Sequence, residues 1–131
     1  GTRALVVDIR SFSSETPAQV AAALRKDAAG AGAIVLDLRA NGGGSLTGGV
    51  DVARLLLPDG KRIVSLADKT GATRAFDAEN GGALDTRTPV VVLINRDTAS
   101  AAEVLSAALR ENGRAALVGE RSFGKGVVQT L

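Results

Sequence analysis

Few residues in this chain could act as a nucleophile or a general base. Its 131 residues include no Cys and no His. That removes thiol nucleophiles, disulfides, thiolate metal sites, the Ser-His-Asp triad and every imidazole zinc site. Nucleophilic or acid–base chemistry near neutral pH must therefore run on Lys, Asp, Glu or Ser. One pair fits. Ser100 follows the apolar run Pro89-Val-Val-Val-Leu-Ile94 and opens a helical segment. Backbone N–H groups and the positive end of a helix dipole there favour an oxygen that gains negative charge. Serine on a strand–turn–helix corner serves as a nucleophile in other hydrolases. Its base would have to be a lysine, which loses its proton near pH 7 only where burial lowers its pKa, by up to ~3–5 units. Lys125, between Gly124 and Gly126 with Phe123 and Val127 outside them, stands in surroundings that could desolvate it. Only tertiary folding could join two residues so far apart. The spacing equally allows a structural role, since Ser100-x-x-Glu103 is a capping box.

Three other motifs are weaker. Gly119-x-x-x-x-Gly124-Lys125 is most of a phosphate-binding loop, but Gly126 stands where Ser or Thr must hold magnesium, and a strand-like run follows. Ser122-x-x-Lys125 matches the motif of penicillin-binding enzymes, yet the flanking glycines argue against the helix that motif needs, and the Ser-Asp-Asn companion is missing. Asn41-Gly42-Gly43-Gly44 does not fit the dinucleotide fingerprint, because Thr47 occupies the last glycine position. Such a loop permits a tight strand-to-helix turn. It could also present a backbone N–H to a carbonyl oxygen, worth ~2.7–4 kcal/mol in a transition state.

The elements that must position these residues are set by apolar periodicity and punctuation. Ala4–Ile9 reads as a strand. Thr16-Pro17-Ala18-Gln19 reads as a helix start, with Thr16 as cap and Gln19 completing a capping box. Val20, Ala23 and Leu24 mark that helix's buried face, and Gly30 or Gly32 stops it. Residues 34–38 form a nearly continuous apolar strand, as expected with both faces covered. A helix over Leu46–Leu57 ends at Pro58-Asp-Gly60. Arg62–Leu66 and Ala72–Phe76 read as a hairpin around Asp68-Lys-Thr-Gly71, and an irregular link passes Asn80-Gly-Gly82. A strand over Pro89–Ile94, a helix over Ser100–Arg110 stopped at Asn112-Gly113, and a strand over Ala115–Val118 come next. A loop over Gly119–Gly126 and a strand from Val127 to Leu131 close the chain. Repeated strand–helix–strand units predict an α/β class with a largely parallel sheet and a small hairpin.

Composition narrows the partners. The formal charge is +2, and the basic residues are scattered rather than set in a stripe. The only aromatics are Phe12, Phe76 and Phe123, a poor platform for stacking bases, so nucleic acid is not expected. No apolar run approaches the ~20 residues of a membrane-spanning helix. The chain is one domain's length, and Gly1-Thr2-Arg3 leads straight into a strand without a signal peptide, so residues 1–131 are expected to be a single domain excised from a longer protein.

Taken together, the blocks are familiar. Ile34-Val-Leu-Asp-Leu-Arg39-Ala-Asn41-Gly-Gly-Gly44, Val50-Asp51-Val-Ala and Leu57-Pro-Asp-Gly60 resemble the carboxyl-terminal processing (tail-specific) serine proteases. So do Val91-Val-Leu-Ile-Asn95 with Thr98-Ala-Ser100-Ala-Ala-Glu103, Asn112-Gly-Arg114, Val118-Gly-Glu120 and Phe123-Gly-Lys125-Gly-Val-Val-Gln129, in the family's order and spacing. The resemblance implies a fold akin to the Clp protease and crotonase group and a Ser–Lys dyad, with Ser100 the nucleophile and Lys125 the general base. It implies that Gln129 orients the lysine and that the N–H groups of Ala101 and Gly43 hold the oxyanion. Glu111, where relatives often carry Asp, is secondary. Gly42 replaces a proline found in many relatives, which loosens the glycine loop.

By the same analogy the activity is C-terminal processing of proteins with flexible apolar tails, without metal or organic cofactor, in an extracytoplasmic compartment of bacteria. Relatives carry a PDZ-like module and further sheet that this chain does not show. An exposed sheet edge would then favour a homo-oligomer. The rival readings are a catalytically silent peptide-binding domain of the same fold and a crotonase-type acyl-CoA enzyme, for which no Glu/Asp pair in a glycine loop speaks.

Overall fold

The computed structural model describes residues 3–79 and 81–121. Lys125, Gln129, the strand expected over Val127–Leu131 and most of the loop before it lie outside the described residues.

Apolar β-branched runs make the sheet. Strands β1 (Ala4–Asp8), β2 (Ala33–Asp37), β5 (Val90–Ile94) and β6 (Ala115–Gly119) form a parallel sheet in the order β1-β2-β5-β6. Between them run helices α1 (Thr16–Asp27, extended by a 3-10 turn over Ala28–Gly30), α2 (Leu46–Leu56) and α3 (Ala101–Glu111). Strands β3 (Arg62–Ala67) and β4 (Thr73–Asp77) pair as a separate antiparallel hairpin between α2 and β5. The strand order advances in one direction, so right-handed crossovers set the helices on one side of the sheet. There α2 packs against both α1 and α3.

Register explains the core. Val7, Leu36, Val92 and Leu117 are aligned across the four strands. The first three of these are buried, and they join Val20, Leu24, Val50, Leu56, Leu105 and Leu109 in one apolar cluster. The next row, Val6, Val35, Val91 and Ala116, faces the other way, and Val6 is 59% exposed. The continuous apolar run of β2 predicts cover on both faces. Among the described residues only the helix face is fully buried, and Val35 stays half-buried.

The start of α1 also differs from expectation. Its N-cap is Glu15, without a side-chain cap bond, and no capping box with Gln19 forms. The Thr16 hydroxyl turns backward instead, accepting from the Ser13 N–H at 2.9 Å, while Ser13 Oγ accepts from the Glu15 N–H at 3.2 Å. A serine three residues upstream competes for the threonine, a local alternative that sequence spacing does not rank. The stop at Gly30 is as expected.

Candidate active site

Parallel α/β sheets gather their chemistry where strands end at their carboxyl side, and there the two described segments singled out by sequence, the glycine loop and the Ser100 turn, meet the segment after β1. The β2–α2 loop carries Arg39 to Gly44, the β5–α3 turn carries Asn95 to Ser100, and the segment after β1 carries Phe12. Side chains lace the first two together. Thr98, fully buried, donates its hydroxyl to the Leu38 carbonyl at 2.7 Å and accepts from the Asn95 N–H at 3.0 Å. Asn95 Oδ1 accepts from the N–H groups of Ala40 and Asp97, both at 3.0 Å. The Ala99 N–H donates to the Asn41 carbonyl at 2.9 Å.

Ser100 sits on a sharp corner. It is exposed, with φ 56° and ψ −122°, one of two non-glycine residues with positive φ among those described, the other being Ala40. A helix N-cap ordinarily has extended geometry, so capping does not require this conformation, which costs about 1–3 kcal/mol. The expected capping box is nonetheless present. Glu103, 1% exposed, accepts from the Ser100 N–H at 3.0 Å. The next residue, Ala101, is the first of α3, and its N–H has no acceptor among the described residues.

The glycine loop abuts that corner. Gly43 has φ +108°, and a Cβ there would lie 2.7 Å from Ser100 Cβ and 3.2 Å from the Ala101 nitrogen. Only glycine allows this approach. Phe12 clamps the loop, its N–H donating to the Gly43 carbonyl and its carbonyl accepting from the Ser45 N–H, both at 2.8 Å. Ser45 then caps α2 by accepting from the Gly48 N–H at 3.0 Å. Gly49, where a Cβ would meet the Ala101 carbonyl at 3.0 Å, lets α2 pack closely on the start of α3. The Gly43 N–H donates to Asn41 Oδ1 at 2.8 Å, whereas that of Gly44 has no acceptor among the described residues.

Beside the loop, Arg39 grips Asp37 through Nη2 at 2.7 Å and Nε at 2.9 Å. That side-chain hydrogen bonding holds the Asp37 carboxyl below its ordinary value, against burial, which pushes it up. With Asp8, Arg10 and Asn95 this pair lines a groove at the strand ends. A larger groove of about 500 Å³ runs along β1 and α1 and does not include Ser100. Among the described residues no cluster of three or more acidic side chains could hold a metal ion, and no helix is long and apolar enough to cross a membrane.

The structure thus brings together Ser100, Ala101 and Gly43. It does not bring Glu111 to them. Glu111 is exposed at the other end of α3, 3.8 Å from Arg110, and eleven residues of helix place it about 16 Å from Ser100. Lys125 and Gln129 lie outside the described residues. Sequence reasoning quotes Asn41, Asn95 and Thr98 only as members of motifs and family blocks and gives them no role, since their contacts with Leu38, Ala40 and Gly43 exist only in the fold.

Comparison with known proteins places this arrangement. Over 126 residues the chain is 44% identical to the chloroplastic C-terminal processing peptidase of Tetradesmus obliquus, covering 95% of this chain and 27% of that protein. It is 38% identical over 125 residues to the carboxy-terminal processing protease CtpA of Bacillus subtilis, covering 95% and 26%. The solved photosystem II D1 C-terminal processing protease superposes with a TM-score of 0.84 at 43% identity, over 92% of this chain and 31% of that one. Mature CPAF shares the fold, with a TM-score of 0.75 at 14% identity over 92% and 38% of the two chains. The chain therefore spans less than a third of the curated relatives it matches. The model of peptidase family S41 matches residues 3–131. With relatives this similar along nearly its whole length and a serine corner set against a glycine loop, the chain belongs to peptidase family S41.

Proposed function

We propose that this domain is the core of a serine endopeptidase that cleaves protein substrates near their C-termini. The observation that carries the reading is the conformation of Ser100, strained beyond what a helix cap requires and packed against Gly43. Lys125 is the general base in this reading, and Gln129 orients it. Lys125 takes the Ser100 proton as Oγ attacks the peptide carbonyl, and the tetrahedral oxyanion is held by the N–H groups of Ala101 and Gly43, the latter shared with Asn41 Oδ1. The lysine returns the proton to the leaving amine, giving an acyl-serine ester. Water, deprotonated by the same lysine, then attacks the ester, and the proton passes back to Ser100. The chemistry needs no metal or cofactor. Substrates are proteins with flexible apolar tails, met in an extracytoplasmic compartment. In support, relatives 44% and 38% identical over 95% of this chain are named for C-terminal processing.

The test is cleavage of an apolar-tailed peptide by the full-length protein. Ser100→Ala and Lys125→Ala should each lower kcat by at least about 10³-fold while the fold persists. Cleavage at the wild-type rate by either variant sinks the dyad.

A further inference from the structure

Asn41 is a polar side chain beside the serine corner that is tied at both ends. It is 0% exposed, and burying a carboxamide is costly unless each polar atom is bonded. Here both ends are. Nδ2 donates to the Ile9 carbonyl at 2.8 Å, and Oδ1 accepts from the Gly43 N–H at 2.8 Å. The backbone adds two more ties, since the Asn41 N–H donates to the Leu38 carbonyl at 3.2 Å and its carbonyl accepts from the Ala99 N–H at 2.9 Å. One residue thus joins the end of β1, the end of β2, the glycine loop and the residue before Ser100.

These ties matter because Asn41 leads directly into Gly42, Gly43 and Gly44. Three consecutive glycines have the largest conformational freedom any loop can have, and Gly42 has nothing within 4 Å of where a Cβ would sit. Gly43 must nevertheless rest against Ser100. Its carbonyl is set by Phe12, and the orientation of the 42–43 peptide is set by the Asn41 carboxamide. We infer that Asn41 is a positioning residue for peptide-bond cleavage, holding the glycine loop at the oxyanion against Ser100. It touches no reacting atom and acts through Gly43. The inference rests on the reading of Ser100 as nucleophile.

A group that orders the loop only where charge develops should affect kcat and leave ground-state binding alone. In the full-length protein, Asn41→Ala should lower kcat for an apolar-tailed peptide by about 10²-fold, with KM changed less than about threefold. Asn41→Ser should recover part of the loss, because a hydroxyl at this position can accept the Gly43 N–H as an asparagine does, more weakly. Thermal melting shows whether each variant is folded at the assay temperature. If the alanine variant is not, the serine variant carries the test through its kcat and KM.

Wild-type kcat in folded variants overturns the inference. So does a rise in kcat, which would mean the carboxamide withholds the Gly43 N–H from the oxyanion. Loss of the fold in both variants overturns it too, leaving Asn41 as a residue of the structure alone. Ser100→Ala run alongside separates the two readings. Cleavage that survives Ser100→Ala removes the nucleophile, whereas cleavage that needs Ser100 and ignores Asn41 removes only the positioning role.

Discussion

Ser100 and Gly43 define the site by how closely they approach each other. A methyl group at position 43 would lie 2.7 Å from Ser100 Cβ, on a backbone with φ +108°, so the loop would have to withdraw from the serine. A displacement of about 1 Å in a catalytic group can cost 10²-fold in rate. Gly43→Ala is therefore expected to lower kcat/KM by about that factor in steady-state peptide cleavage. Unchanged kcat/KM would mean the loop plays no part in the reaction. The position of Ser100 at the strand-to-helix corner could be read from sequence, because a serine that opens a helix after an apolar strand is a recognisable pattern. The role of Asn41 could not, because its value lies in contacts with Ile9 and Gly43 that only the fold creates. Glu103 illustrates the same limit. The capping spacing was visible, but its burial was not, since that comes from how α3 packs against α2, β3 and β6.

At the scale of elements, the described strands and helices fall within a residue or two of where their apolar patterns place them, since each pattern reports burial on one face. What the patterns could not show is how the loop before β5 is fastened. Arg114, just before β6 and with its side chain 8% exposed, donates to the carbonyls of Leu56, Thr88 and Asp85 and pairs with the Asp85 carboxylate at 3.2 Å. It staples the end of α2 to the segment entering β5, and so sets the base of the strand that leads into the Ser100 corner. Arg114→Met takes this donor from the three carbonyls and the cation from the Asp85 carboxylate, and should destabilise the domain by about 3 kcal/mol in denaturant unfolding. A change below about 0.5 kcal/mol would remove the staple.

Asp85 adds a pH dependence to this corner. Burial pushes its carboxyl up, but hydrogen bonds from the Thr88 hydroxyl and N–H and from the Arg87 N–H, with the Arg114 charge, together hold it below its ordinary value. A depressed folded-state value stabilises the fold above the unfolded carboxyl pKa of about 3.9, and that stability is lost as pH falls through the folded value. The wild type should thus lose stability more steeply than Asp85→Asn below about pH 4. Parallel pH–stability curves for the two proteins would contradict this.

Across the whole molecule, one sheet face is filled by helices, and the other presents the row of Val6, Val35 and Val91. Among the described residues, strands β1 and β6 lie at the sheet edges. Unpaired edges beside apolar surface recruit other strands, so the 131-residue domain is expected to self-associate. Sedimentation that gives a monomer at every concentration would refute this. The sequence pattern of β2 implies cover on both faces, and that cover is not supplied by the described residues.

The central claim, that this architecture exists to activate one serine, is tested most directly by trapping the intermediate. The full-length protein would be acid-quenched during turnover of an apolar-tailed peptide, digested, and mapped by mass spectrometry. The account predicts the N-terminal part of the substrate esterified to Ser100, absent in Ser100→Ala. Turnover with no adduct at Ser100, or with the acyl group on another side chain, would contradict it.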